Sequence, residues 1–513
     1  MPMKTSIFFL SILLLTVSCQ KKDRVLELPN NFQSKAVGDS VQDIIRQSIV
    51  KTGFFEWSQL SPSLLWSAIK KSNGIVSVGY KKRAEKFSEA KIDQIDLQDE
   101  SWSVVREELL SLIFHSERMA NSSLQLADVL LWQEDVLPVL NVIIKNPKTL
   151  ELLESNELVR YVEPMEYDSE LFPDYPNRQS GCSPNLPDRV MTPGVHYGVI
   201  SPFSKASWNY PDHGILDAWR FVTGKGIKVF LIDTGVSYSQ ENLGADFNQG
   251  FSFSRTIERM VTLPRQRFLG IINVGPVETP EDRCGHGTAM AGVLAAPRGI
   301  DGNITGVAYN SSLITCRASS DVFIDEAREV KGVSDAFVVA GQRADVKIIS
   351  MSLGRITASS QIRDAIQYAH AKGKLIFCAA GTSFSFTAGW AGVIFPASLP
   401  EVQAVTGVQQ QSNFNACENC HSGPEVDFVV VMERINDHKN PLTVADRGDD
   451  PSSIGGSSVA TATMAGMAAL VWSRYPSATR DQILTMLERY SSYYPLRHAR
   501  WGWGKFQPAL AVD

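Results

Sequence analysis

The chain has 513 residues, 44% hydrophobic and 20% charged, with 36 Gly and 25 Pro. That composition excludes a wholly disordered or collagen-like chain and leaves room for two to four domains at ~150 residues each. Its 49 Lys and Arg against 55 Asp and Glu give a net charge of -6, without the basic excess that neutralising a phosphate backbone requires, so nucleic acid is not an expected partner. Seven cysteines are too sparse for a disulfide scaffold, and their odd number leaves at least one free, modified or paired outside the chain.

In chain order, residues 1–19 read as an export signal: Lys4 gives a positive start, and 7–17 is an apolar run broken only by Ser11 and Thr16. The run is too short for a membrane span, and no later stretch reaches ~18 apolar residues. The abrupt change at Cys19 to Gln20, Lys21, Lys22 and Asp23 resembles a bacterial lipoprotein signal with Cys19 acylated, although Thr16 stands where such signals usually carry Leu. The expected location is therefore the bacterial cell envelope, with the membrane touched through a lipid anchor only; an ordinary secretory signal with an incidental Cys is the alternative. Residues 20–170 are charged and amphipathic and read as a smaller α+β domain. Val104, Val105, Leu109, Leu112 and Ile113 mark one face of a helix beginning near Ser103, 139–144 a strand, 149–155 a helix, and 158–162 a strand closed by Pro164. Seven prolines between Pro173 and Pro211 predict a linker over 171–207 without regular helix or sheet.

From 208 to 513 short apolar runs alternate with helical stretches, the pattern of parallel βαβ units. Strands are expected at 227–232, 346–350, 375–379 and 402–408. Ile362, Ala365, Ile366 and Ala369 mark a helix stopped by Gly373. In open α/β sheets ligands gather beyond the carboxyl ends of the strands, and Asp233 sits at such an end.

Three segments carry candidate chemistry: IDTGV at 232–236, CGHGTAMAGVLAA at 284–296 and GGSSVATATMAGMAAL at 455–470. Singly each has a plain structural reading, since Asp at strand ends, His in cores and Gly-Ser pairs in loops are common. Together, in the order Asp233, His286, Ser458, they follow the chain order of subtilisin, and the C-terminal part resembles the subtilases, the subtilisin-like serine peptidases. GVAYNSSL at 306–313, ISMSLG at 349–354, CAAG at 378–381, FPASLPEVQAVTGV at 395–408 and GWGKFQPALAV at 502–512 carry the resemblance further. It implies an α/β fold, a subtilisin-like parallel sheet flanked by helices and preceded by the smaller α+β domain. It also implies a serine endopeptidase: Ser458 attacks the peptide carbonyl and forms an acyl-enzyme, His286 takes the proton and returns it to the leaving amine, and Asp233 orients the imidazole. By the same resemblance Ser352, Leu353 and Gly354 form the edge that pairs with substrate backbone, and Ala379, Ala380 and Gly381 line the primary specificity pocket.

The departures are specific. Thr382 stands where subtilases usually carry the Asn that donates to the oxyanion, and Ala462 and Thr463 replace the usual Pro and His after the nucleophile. Ser383, in a Gly-Thr-Ser tripeptide, is a decoy that lacks the small-residue helix. Cys284, beside His286, stands at a position that by the resemblance lines the substrate cleft, with a buried or half-buried thiol without chemistry as the preferred reading. Cys417 to His421 spell C-x-x-C-H, a haem-attachment pattern, but a local Cys417–Cys420 disulfide is the preferred reading. No cofactor is expected, and no dense carboxylate loop specifies a metal, so structural calcium is left unassigned. Residues 141–168 resemble the last helix and strand of a subtilase propeptide, which implies the chain's own N-terminal region as an inhibitor of action on peptide or protein substrates; the hundred residues before them, outside the resemblance, read as an elaborated propeptide or a separate binding domain, with a generic helical domain as the plain structural alternative. The competing function, motivated by Thr382, is a subtilase-fold module of negligible turnover that binds peptides or a partner.

Overall fold

Near-continuous apolar strands can be buried only in a sheet covered on both faces, and the C-terminal half supplies several. The computed structural model describes residues 37–52, 54–83, 86–167, 182, 184–268, 272–382, 392–411 and 413–513; Cys19 and the rest of the expected signal lie outside them. The strands Lys228–Asp233, Ser312–Arg317, Ile348–Met351, Leu375–Ala379 and Gln403–Gln409 join Ile257–Val261, Val426–Glu433 and Gly504–Lys505. Together they make one eight-stranded sheet, parallel at every pairing. From one edge the strands begin at 504, 426, 403, 375, 348, 228, 312 and 257. Within Lys228–Asp233 the pleat sends Val229 and Leu231 into one core, with the helices His286–Ala295 and Gly456–Arg474. Phe230 and Ile232 enter the other, with Ala327–Gln342 and Ser360–Ala371. The fold is α/β, with the subtilisin-like parallel sheet flanked by helices.

The expected strands and helices appear with small offsets whose causes are local. The strand expected from 346 begins at Ile348 because the Val346 N–H closes a turn onto the Arg343 carbonyl at 3.2 Å. The helix expected near Ser103 starts at Glu100, because Asp99 caps it by accepting the Ser101 N–H at 2.8 Å. The helix expected at 149–155 is Pro147–Glu154, since Asn146 accepts the Lys148 N–H and Pro147 occupies its first turn.

Within residues 37–167 an antiparallel sheet, in the order Leu130–Gln133, Val139–Ile143, Ile75–Tyr80, Val159–Pro164, has two apolar faces. One, with Val76, Val78, Leu140, Val142 and Val162, packs on residues of its own helices such as Ile69, Leu109, Ile113 and Leu153. The other, with Ile75, Leu131, Val139 and Ile143, belongs to the core that contains helices Ala327–Gln342 and Ser360–Ala371. Polar contacts fix the docking. Asn141 Nδ2 donates to Gln361 Oε1 at 2.7 Å, the Arg160 guanidinium and Tyr161 hydroxyl both donate to Asp364, and Glu163 accepts the N–H and hydroxyl of Ser360 at 2.7 and 2.6 Å.

One expectation is corrected. The stretch 171–207 does contain sheet: Tyr197–Ile200 and Ser204–Ser207 form an antiparallel hairpin with Pro202 in its turn, where a fixed φ is an advantage rather than a defect. Ser204 Oγ donates to the Asn303 carbonyl at 2.8 Å and Lys205 pairs with Ile304, which attaches the hairpin to the C-terminal domain.

Candidate active site

Asp233 ends its strand and enters a turn at Gly235, whose φ of +106° and close approach to the Pro280 carbonyl suit only glycine. Gly285, at φ +89°, redirects the chain into the helix His286–Ala295, so His286 is its first residue. Gly287 lets that helix lie against the Gly235 backbone, and any Cβ there would push His286 away from Asp233. The result is a hydrogen bond of 2.7 Å between His286 Nδ1 and Asp233 Oδ1, in a site where Asp233 is 1% and His286 5% exposed. Asp233 Oδ1 also accepts the Thr234 N–H at 2.8 Å, while its Oδ2 has no partner among the described residues. Burial pulls the imidazole pKa down, but the Asp233 carboxylate, by charge and hydrogen bond, and the charges of Asp282 and Asp321 more than reverse this and hold it above its ordinary value.

Ser458 lies in the first turn of the helix Gly456–Arg474, which leaves it at the positive end of the helix dipole. It is 8% exposed, and its carbonyl accepts a bond from Ser352 Oγ at 3.1 Å. Ser352 is thus tied by its side chain to the helix that carries Ser458. Ala462 and Thr463 are fully buried within that helix. Thr382 lies at the same end of the helix: its Oγ1 is 2.9 Å from Ser457 Oγ and accepts the Ser457 N–H at 3.3 Å. Either hydroxyl can donate in the 2.9 Å contact; when Ser457 donates, the Thr382 hydroxyl proton is left unspent.

The remaining expected site residues are placed as follows. Leu353 and Gly354 follow Ser352 beyond the strand Ile348–Met351 and are buried. Both backbone groups of Gly354 are already engaged: its N–H donates to the Val322 carbonyl at 3.2 Å and its carbonyl accepts the Ile324 N–H at 3.0 Å. A substrate using Gly354 must displace this 322–324 pairing. Ala379 closes the strand Leu375–Ala379; Ala380 and Gly381 follow, with their carbonyls accepting the N–H groups of Ile394 and His421 at 3.0 Å each. Ser383 lies outside the described residues.

Cys284 is corrected. It carries no free thiol for the cleft but is bonded to Cys182 across a sequence separation of 102, which fastens the linker two residues before His286. Cys417 and Cys420 form a second disulfide, so neither sulfur is available to a haem. The free cysteines among the described residues, Cys316 and Cys378, are buried, and burial pushes the Cys316 thiol up to about 12. Among the described residues no group of three or more His, Cys, Asp or Glu is placed to hold a metal ion, and no helix is long and apolar enough to cross a membrane.

Sequence reasoning missed Asp282. Its Oδ1 accepts the Cys284 and Gly285 N–H groups and the Thr234 hydroxyl, and its Oδ2 accepts the N–H and hydroxyl of Thr288, all within 2.7–2.9 Å. It caps the helix that carries His286. The signal was an Asp just upstream of a Gly-led helix start.

The model of the subtilase family matches residues 224–504, more than half of the chain. The chain belongs to the subtilase family. This subtilase is 32% identical over 279 residues to the thermostable alkaline protease of Halalkalibacterium halodurans, covering 53% of this chain and 64% of that one. It is 27% identical over 262 residues to thermitase of Thermoactinomyces vulgaris, covering 51% and 80%. It is also 27% identical over 284 residues to a subtilisin of Bacillus sp. strain TA39, covering 53% and 62%. The subtilase therefore spans under two thirds of the length of the Bacillus subtilisin and the alkaline protease. Among solved structures, MycP1 from Mycobacterium smegmatis aligns at 20% identity and a TM-score of 0.47, over 65% of this chain and 88% of that one.

Proposed function

We propose that this subtilase is a serine endopeptidase that hydrolyses peptide or protein substrates through Ser458, His286 and Asp233. The observation that carries the reading is the buried His286–Asp233 hydrogen bond at 2.7 Å, in a site where neighbouring carboxylates favour the imidazolium. That is the state His286 enters when it takes the Ser458 proton. In the proposed cycle Ser458 Oγ adds to the carbonyl carbon, Thr382 and free N–H groups at the helix start receive the oxyanion, and His286 passes the proton to the departing amine. Water then cleaves the acyl-enzyme by the same steps in reverse order of partners. Ser352, Leu353 and Gly354 receive the substrate backbone once residues 322–324 give way, and Ala379, Ala380 and Gly381 face the residue before the cut. No cofactor enters this chemistry.

The reading extends to biogenesis. Export through residues 1–19, acylation at Cys19 and retention at the bacterial envelope follow from the signal-like N-terminus, with secretion as the alternative. The N-terminal domain, docked on the helices Ala327–Gln342 and Ser360–Ala371, acts as a propeptide that is cut in the linker, with the mature chain starting between about 166 and 201. The deciding experiment is labelling with a fluorophosphonate probe. The wild type should react and Ser458→Ala should not; a wild type that is folded, processed and unlabelled would leave a peptide-binding module of negligible turnover as the better description.

A further inference from the structure

Arg355 directly follows Gly354, and its side chain is anomalous. The residue is 4% exposed, yet Nε and Nη1 have no hydrogen-bond partner among the described residues. Nη2 donates to Thr357 Oγ1 at 2.9 Å and the backbone N–H to the Phe395 carbonyl at 2.9 Å, so the guanidinium is anchored at one corner with the rest of its donor fork unused. A buried unpaired guanidinium is costly. The carboxylates whose charge reaches it are Glu163, Asp325 and Glu329; against them burial pulls its pKa down to about 10. Glu163 spends its oxygens on Ser360, and Glu329 spends its own on Ser320, Asp325 and Glu326.

We propose that Arg355 is a specificity-determining residue that receives an acidic side chain of the substrate lying along the Gly354 edge. This rests on the peptidase reading above and names its substrate class. Nε and Nη1 face different edges of the guanidinium, so a carboxylate takes either of them, alone or together with the second proton of Nη2. The cover over this turn is removable. Ile356 packs against the N-terminal core, Thr357 pairs with Phe55, and the Ala358 N–H donates to the Phe55 carbonyl at 2.9 Å, so departure of the N-terminal domain uncovers the stretch beside Arg355. The chain's own junction between the N-terminal domain and the linker offers the first suitable substrate, since 168–174 carries Asp168, Glu170 and Asp174.

The test is a peptide library in which each position carries Glu or Gln, cleaved by enzyme produced as the full chain and then processed. At one position on the Gly354 side, Glu should be preferred about 10- to 100-fold in kcat/KM, the range of a charge-assisted hydrogen bond. Arg355→Met should bring that ratio within twofold, and Arg355→Lys should keep part of it. If Arg355→Met does not fold, the wild-type ratios still decide. Glu-to-Gln ratios under twofold at every position, in a wild type that labels with fluorophosphonate, would overturn the proposal alone, whereas a wild type that does not label overturns the peptidase reading beneath it.

Discussion

The Cys182–Cys284 bond makes the most quantitative demand on the structure. It closes a loop of 102 residues, and in the chain-entropy account a loop of this size restricts the unfolded state by about 4.7 kcal/mol, with measured bonds commonly worth ~2–4 kcal/mol. Cys182→Ser, made in the Ser458→Ala background to prevent self-cleavage, should therefore lower the urea midpoint by the equivalent of about 3 kcal/mol, with the m-value rising as the unfolded chain opens. Cys284→Ser and the double variant should cost the same, because each removes one bond and only one. The bond also governs release. A cut before 182 leaves the N-terminal domain held by its docking contacts alone, whereas a cut beyond 182 also keeps it covalently tied to the peptidase until the disulfide is reduced. Parallel reducing and non-reducing gels of processed protein, with the cut placed by N-terminal sequencing, check this directly. A double variant that costs the sum of the singles, or a cut beyond 182 whose fragments part without reductant, would refute the reasoning.

Four further outcomes are expected. Thr382→Val should lower kcat by about 10²- to 10³-fold with little change in KM, since an oxyanion donor acts mainly in the transition state; an unchanged kcat in the folded variant removes Thr382 from that role. His286, held above its ordinary value of 6.5, should place the acid limb of kcat/KM above that pH, with activity rising as pH rises through it. Asp282→Asn, which removes one of the charges responsible, should move the limb down. The sign for stability is opposite: His286 favours the folded state fully below about pH 6.5, and that contribution fades as pH rises through the folded value. Arg160→Ala leaves Asp364, whose side chain is 3% exposed, without a counter-charge and with only the Tyr161 hydroxyl as donor, and should weaken retention of the cut N-terminal fragment by ~3–5 kcal/mol, seen as its separation from the peptidase on gel filtration. Ile324→Pro removes the N–H that engages the Gly354 carbonyl and should raise kcat/KM for extended peptides several-fold; a fall in a folded variant would mean that 322–324 serves the substrate rather than obstructing it.

The family-level layout is legible along the chain because its signals are local. Apolar runs ending at Asp233, Met351 and Ala379 can be read as parallel strands, and glycines flanking His286 and preceding Ser458 mark turns into helices whatever surrounds them. Asn146 and Asp99 likewise carry their capping signals within a few residues, so the helix starts they set were missed only in detail. What no local pattern encodes was decided by the tertiary structure. The partner of Cys284 lies 102 residues upstream, and the seven cysteines allow many pairings of equal sequence merit. The hairpin at 197–207 is held by Asn303 and Ile304, contacts that override a proline-rich composition. Asp282 matters because Thr234, Gly285 and Thr288 converge on one carboxylate. The engagement of Gly354 by residues 322–324 and the idle donors of Arg355 arise in the same way, since the pairing of a backbone edge and the solvation of a side chain depend on what the rest of the chain brings beside them.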